Sequence, residues 1–265
     1  MKSIKPLLEL ISLKGKRALI TGSAAGIGKA IAYRFAEAGA HLQLIDANKK
    51  GLESVKKELS DFGSEIEVFT VDLSIKQEID GLWTELSGKE PDILVNNAGI
   101  YPFKKFLEVD EFFLKRVMDV NLNSALWMCQ HMIRKRAKKG GVIINVGSIE
   151  AIMPFARDLI PYNISKIGVI ALTRALAREH SSRGFRINAL VPGGIATPGT
   201  RQVAKELAKL KVGVLQTGID FYRRLPAGRG GQPDEVARMA LVLACDLSSY
   251  VHGALIPVDG GFLSA

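Results

Sequence analysis

The chain has 265 residues, 47% of them hydrophobic, and a formal net charge of +9. Its length allows a large core, and no linker, low-complexity tract or internal repeat divides it, so we predict one domain over residues 1–265. No run approaches the roughly 18 uninterrupted apolar residues of a membrane span, and no interleaved aromatics or zinc-ligand spacing accompany the basic residues. These features exclude a membrane-spanning chain, argue against a nucleic-acid partner and predict a cytoplasmic protein.

Apolar runs of strand length alternate with segments of helical period along the chain. The predicted strands are mostly apolar on both faces and cover residues 17–21, 41–45, 66–71, 92–96, 142–146, 186–191 and 254–258. The predicted helices lie at residues 26–38, 48–60, 74–87, 108–138, 162–180 and 233–247, after an N-terminal extension, residues 1–13. This alternation is typical of a single-domain, Rossmann-like, doubly wound α/β fold with about seven parallel strands and helices on both faces.

Ligands of such a fold bind beyond the carboxyl ends of the strands. Six predicted strands are followed there by glycine-rich or small polar segments, namely TGSAAGIG, DAN, DLS, NNAG, GSIE and PGGIAT. We therefore expect the functional site at this edge of the sheet. The two cysteines lie instead in apolar helical patterns without metal-ligand spacing, which predicts reduced core thiols and no metal site.

The segment TGSAAGIG, residues 21–28, leaves the first strand and opens a helix. Its glycines allow a tight turn that brings backbone N–H groups and the helix N-terminus against a pyrophosphate. Asp46 ends the next strand 18 residues after Gly28, close to the spacing of a carboxylate that binds an adenosine ribose. A carboxylate would repel the 2′-phosphate of NADP, and Ala25 and Ala47 supply no compensating cation. The sequence therefore favours NAD(H) as the cofactor.

The segment YNISK places Tyr162 and Lys166 four positions apart at the start of a helical pattern. Their Cβ atoms would lie about 5–6 Å apart on one helix face, so both side chains could act on one small molecule. A helix that begins with two exposed polar residues has the same pattern. The pair alone therefore leaves catalysis and an ordinary helix start as alternatives.

Seven motifs, in the right order and at closely similar spacings, resemble those of the short-chain dehydrogenase/reductase family. They are TGSAAGIG, NNAG at 96–99, Asn121 in DVNLN, Ser148 in VGSIE, YNISK, PGG at 192–194 and VDGG at 258–261. The resemblance extends from about residue 14 to the C-terminus. It implies an oxidoreductase that interconverts a secondary alcohol and a ketone with a nicotinamide cofactor, for which Asp46 favours NAD(H), and it implies a homotetramer.

The resemblance also implies the roles of individual residues. Ser148, Tyr162 and Lys166 match the catalytic triad, and Asn121 matches the residue that supports a water and a proton relay. The segment at about residues 194–225 would form a lid over cofactor and substrate. The residues expected to contact the cofactor are Gly22, Ser23, Gly26, Ile27, Gly28, Asp46, Asp72, Leu73, Asn97, Ala98, Gly99, Tyr162, Lys166, Pro192, Ile195 and Thr197.

A tyrosine that acts as a base near neutral pH needs a pKa well below its usual value of about 10. One cation about 4 Å away, at an effective dielectric constant of about 20, supplies about 4 kcal/mol, which is the order of energy required. We therefore expect Lys166, together with the positive nicotinamide ring, to lower the pKa of Tyr162. Ser148 would position the substrate oxygen.

The substrate pocket is expected to involve Tyr101 and the segment between Ser148 and Tyr162, which is one residue longer than the commonest family spacing. Arg157 could pair with a substrate carboxylate and Glu150 could accept hydrogen bonds from hydroxyls, or both could be ordinary exposed loop charges. Ile164, which stands where the family usually has alanine, should alter packing only.

These features favour sugars or sugar acids over hydrophobic alcohols. A 3-oxoacyl-[acyl-carrier-protein] reductase is an alternative that the basic surface would suit, although Asp46 argues against its usual NADPH. An epimerase or dehydratase of nucleotide-sugars is disfavoured because few residues follow VDGG. A cofactor-binding regulator without catalysis is the alternative outside enzymes.

Overall fold

The computed structural model describes residues 4–199 and 223–265, and in these residues seven parallel strands form one sheet of order β3-β2-β1-β4-β5-β6-β7. The sheet confirms the predicted Rossmann-like doubly wound architecture. The order reverses between β1 and β4, which opens a crevice at their carboxyl ends. The strands are β1 (Arg17–Thr21), β2 (His41–Asp46), β3 (Ile66–Thr70), β4 (Ile93–Asn96), β5 (Gly141–Val146), β6 (Phe185–Pro192) and β7 (Leu255–Val258).

Helices cover both faces of the sheet because its strands are apolar on both sides. In β1, Ile20 faces a cluster that includes Phe35 and Val236, whereas Leu19 faces another that includes Trp83 and Met128. Adjacent residues thus point to opposite cores, as the period of a strand requires. The helices are α1 (Leu7–Ile11), α2 (Gly26–Glu37), α3 (Lys49–Glu58), α4 (Lys76–Glu85), α5 (Glu111–Met118), α6 (Ser124–Lys135), α7 (Ile160–His180) and α8 (Pro233–Ala244).

The structure differs from the sequence prediction in two helical regions. The helix predicted over residues 108–138 is divided by a π-helical segment, Asp119–Asn123, that separates α5 from α6. The predicted N-terminal extension contains the short helix α1. Most of the predicted lid, residues 200–222, lies outside the described residues. Within the described ranges, no helix has the length and apolar character needed to cross a membrane.

Candidate active site

A cleft of about 240 Å³ opens at the carboxyl ends of β1, β4, β5 and β6. Its walls come from the loops that follow these strands and from the first turns of α2 and α7. Of the predicted site residues, those that line it are Ile27, Asn97, Gly99, Tyr101, Ser148, Glu150, Tyr162, Lys166, Pro192, Ile195 and Thr197. Residues distant in sequence are therefore brought together at the edge that the motifs predicted.

The turn after β1 has a backbone conformation that residues other than glycine do not fit. Gly22 and Gly26 adopt left-handed conformations, with φ of 65° and 56°. A Cβ on Gly28 would lie 2.1 Å from the carbonyl oxygen of Gly22, so only glycine fits there. Ala25, at the N-cap of α2, provides no side-chain hydrogen bond to the first turn. The free N–H groups and positive end of this helix are suited to bind a pyrophosphate.

Asp46 lies at the end of β2, beside this turn. Its carboxylate accepts hydrogen bonds from the N–H groups of Ala24 and Asn48, at 3.0 and 2.9 Å. Ser23 is also tied to β2, because its N–H and hydroxyl both donate to the Ile45 carbonyl. The Ser23 hydroxyl is therefore engaged in holding the turn, and the Asp46 carboxylate is fixed beside it at the end of β2.

The carboxyl end of β3 lies next to Asp46. The N–H of Val71 donates to the Asp46 carbonyl at 3.2 Å, which places Asp72 and Leu73 after the neighbouring strand β3. Asp72 accepts hydrogen bonds from the N–H and hydroxyl of Ser74, at 2.9 and 2.7 Å. Leu73 is buried and lines a separate cavity of about 450 Å³. These two residues thus lie apart from the main cleft, on the side of Asp46.

Thr21 orders the NNAG segment, a role that the sequence analysis did not identify. Its hydroxyl oxygen accepts the N–H groups of Asn97 and Ala98 at 2.9 and 3.0 Å. The Asn97 amide donates in return to the carbonyls of Thr21 and Gly22. The first residue of TGSAAGIG was the available signal, because a hydroxyl at the end of a central strand can reach the loop that follows its neighbour.

Asn121 lies in the π-helical segment and is buried. Its side-chain oxygen accepts the N–H of Ile100 at 2.8 Å, and its amide donates to the Ile100 carbonyl at 3.0 Å and to the Ser165 hydroxyl at 3.1 Å. Ser165 donates to the Tyr162 carbonyl at 2.7 Å. Asn121 thus connects the loop after β4 to α7, and Ser165, which the sequence analysis did not single out, completes the connection.

Ser148, Tyr162 and Lys166 meet on the floor of the cleft. Ser148 and Tyr162 both line the cleft, and the Ser148 hydroxyl favours the ionised form of Tyr162. Lys166 donates from Nζ to the Val146 carbonyl at 2.8 Å, and Nζ lies 5.8 Å from the centroid of the Tyr162 ring. Lys166 is only 4% exposed and Ser148 only 7%. The arrangement gives a proton-carrying phenol a hydroxyl partner and a nearby buried cation.

Burial is the largest influence on the pKa values of Tyr162 and Lys166. It raises the pKa of Tyr162 to about 12, with the Ser148 hydroxyl opposing the rise and the negative charge of Glu150 adding to it. It lowers the pKa of Lys166 to about 8. The direction for Tyr162 is opposite to the expected fall, because removing the phenol from water outweighs the stabilisation of a tyrosinate by neighbouring protein groups.

Two of the three predicted substrate residues reach the cleft. The Tyr101 ring packs edge-on against Tyr162, with 4.7 Å between the ring centroids. Glu150 is only 2% exposed, and its carboxylate accepts hydrogen bonds from the N–H groups of Phe155 and Ala156, both at 3.2 Å. Burial raises the pKa of Glu150, and these hydrogen bonds oppose the rise. Arg157 is exposed and does not line the cleft.

Comparison with known proteins places this geometry in a family. The family model described as enoyl-(acyl carrier protein) reductase matches residues 22–263. A solved structure similar to this chain is a short-chain type dehydrogenase/reductase from Mycobacterium marinum, with 30% sequence identity and a TM-score of 0.89. The match covers 98% of this chain and 100% of that one. The chain belongs to the short-chain dehydrogenase/reductase family. Its members in these comparisons include proteins of different substrate classes.

One relative of this short-chain dehydrogenase/reductase is the 2-dehydro-3-deoxy-D-gluconate 5-dehydrogenase of Bacillus subtilis, 36% identical over 97% of this chain and 98% of that protein. Another is the L-sorbose reductase of Gluconobacter frateurii, whose structure with NADPH and L-sorbose has a TM-score of 0.89 and 30% identity, over 97% of this chain and 99% of that one. The chain is accordingly an oxidoreductase that acts on alcohols.

Proposed function

We propose that this short-chain dehydrogenase/reductase interconverts a secondary alcohol and a ketone with NAD(H), and that Ser148, Tyr162 and Lys166 perform the proton chemistry. The observation that supports this most directly is the convergence of these three side chains at one cleft, beside a glycine turn suited to a pyrophosphate. In the proposed oxidation, the Ser148 hydroxyl orients the substrate oxygen and Tyr162 takes its proton. A bound nicotinamide supplies the chemistry of hydride transfer.

Lys166 and Asn121 support this proton transfer. The Lys166 cation near the Tyr162 ring favours the tyrosinate, which must form against the penalty of burial. Asn121 holds α7 and the loop after β4 in a fixed relation, so that Tyr101 and Tyr162 face the same substrate. In reduction, Tyr162 returns its proton to the carbonyl oxygen.

Turnover with both nicotinamides tests the proposed function. Sugar acids, polyols, cyclic alcohols and acyl thioesters should be assayed with NAD(H) and NADP(H), and a polyol, sugar or sugar acid is expected to give the highest kcat/KM with NAD(H). A second candidate is a 3-oxoacyl-[acyl-carrier-protein] reductase, which the net charge of +9 would suit as the partner of an acidic carrier. Reduction of an acyl thioester with strong NADPH preference would favour that candidate.

We expect Asp46→Ala to raise kcat/KM for NADPH relative to NADH by about tenfold to a hundredfold. The charge repulsion between a carboxylate and a 2′-phosphate about 4 Å apart is about 4 kcal/mol at an effective dielectric of 20, and solvent and salt reduce it. Steady-state kinetics with both cofactors measure the ratio, and the exposed Asp61→Ala is the control. A wild-type enzyme that already prefers NADPH would contradict the role of Asp46.

A homotetramer is proposed from the apolar surface of two adjacent helices. On α7, Ile164 and Ile167 are 48% and 47% exposed, and on α5, which packs against α7, Phe112 is 75% exposed. Such a surface is suited to burial against a second copy. Light scattering should give a tetramer mass, and Ile164→Glu combined with Ile167→Glu should dissociate it, whereas Ile4→Glu should not. A monomeric wild type would refute this assembly.

A further inference from the structure

The charged residues that line the cleft affect which substrates it can bind. This inference rests on the proposed function. Among the described residues that line the cleft, the two with formal charges are Glu150 and Lys166. Lys166 lies against Val146 and would lie 3.4 Å from a Cβ on Gly99, in the part of the cleft next to the glycine-rich loops. Glu150 lies on the loop that would wall the substrate.

Glu150 is held there by neutral groups. Both of its carboxylate oxygens accept backbone N–H groups, those of Phe155 and Ala156. Arg157, the cation that sequence reasoning offered for a substrate carboxylate, is exposed outside the cleft. Glu150 lines the cleft together with Tyr101 and Tyr162, and its ionised form disfavours ionisation of both phenols.

Glu150 is a buried anion that forms no ion pair within residues 4–199 and 223–265, and such a group discriminates between substrates by their charge. A carboxylate or phosphate brought beside Glu150, on the side of the cleft away from Lys166, would meet a like charge, whereas hydroxyl groups can donate hydrogen bonds toward it. The hydroxyls of Ser148 and Tyr101 at the cleft provide further neutral partners. We propose that Glu150 determines specificity by excluding anionic substrates, so that the physiological substrate is an uncharged polyol or ketose and not a sugar acid.

The test compares matched substrates that differ in one group. The wild-type chain should be assayed with alditols and with the aldonates of the same carbon number and configuration, such as D-glucitol and D-gluconate. We expect kcat/KM to favour the alditol by at least about tenfold. The isosteric Glu150→Gln variant removes the charge, and the alditol-to-aldonate ratio should fall by about tenfold to a hundredfold.

Glu150→Asp is the control for a purely structural effect, because it shortens the side chain and keeps the charge. It should retain the alditol preference even if both kcat/KM values fall. Wild-type aldonate turnover equal to alditol turnover, or a ratio unchanged in Glu150→Gln, would overturn the inference, as would turnover confined to alcohols that are not polyols. If no secondary alcohol in the screen is oxidised with either nicotinamide, the proposed function itself fails.

Discussion

Tyr162→Phe is expected to lower the rate of hydride transfer by about 10²–10⁴-fold while leaving cofactor affinity nearly unchanged. The substitution removes only the hydroxyl that exchanges the proton, and the remaining ring can keep its edge-on contact with Tyr101. Single-turnover measurements of NADH absorbance give the rate, and quenching of protein fluorescence gives the cofactor dissociation constant. The two readouts together separate loss of chemistry from loss of the fold.

Tyr250→Phe is the matched control for this substitution, because Tyr250 is fully exposed. It should leave rate and affinity as they are in the wild type. Unchanged hydride transfer in Tyr162→Phe would remove Tyr162 from the proposed proton transfer. A wild-type chain that binds NADH but transfers hydride to no carbonyl compound would instead support the cofactor-binding regulator that the sequence left open.

Lys166→Met is expected to abolish measurable turnover and, at the same time, to raise the free energy of unfolding by about 2 kcal/mol at pH 7. The fall of the Lys166 pKa from 10.5 to about 8 on folding means that burial of its charged form costs about 3 kcal/mol. Loss of the hydrogen bond to the Val146 carbonyl offsets about 1 kcal/mol of the gain. Urea denaturation measures the difference, and the exposed Lys56→Met should show none.

The increase in the free energy of unfolding caused by Lys166→Met depends on pH with a defined sign. Between about pH 8 and pH 10.5 the unfolded chain holds the Lys166 proton and the folded chain releases it. The contribution of Lys166 to stability therefore becomes less unfavourable as pH rises through this window, and the advantage of Lys166→Met shrinks. A variant less stable than the wild type at pH 7 would show that the buried amine supports folding. The predicted result would make Lys166 a residue kept for activity at the expense of stability.

Much of the fold could be read from the sequence because the strands are apolar on both faces and end in glycine or small polar residues. The break at Asp119–Asn123 could not, since the π-helical segment leaves the helical periodicity on either side of it intact. The position of Asn121 depends on this break. Its partners, the backbone of Ile100 and the hydroxyl of Ser165, arise from tertiary packing that no local pattern records.

Many of the predicted motif residues line the cleft because parallel strand ends share one edge, but their electrostatic environment could not be predicted from the sequence. The charge of Lys166 alone predicts a lowered pKa of Tyr162, whereas removal of the phenol from water raises that pKa. Glu150 and Arg157 were equivalent loop charges in the sequence. They differ in the structure because the loop folds back over Glu150, whose carboxylate accepts the N–H groups of Phe155 and Ala156, and leaves Arg157 exposed.

The two hydrogen bonds between Asn121 and Ile100 have a consequence for how this active site can change in evolution. The Asn121 side chain bonds to both the N–H and the carbonyl of Ile100, as a neighbouring strand would. These bonds involve only the backbone of the loop, so they do not depend on the loop's own side chains. Substitutions at residues 101–105 are therefore expected to leave the backbone of Ile100 in place. New substrates could be acquired by mutation at these positions while the proton-transfer apparatus beneath them stays in place.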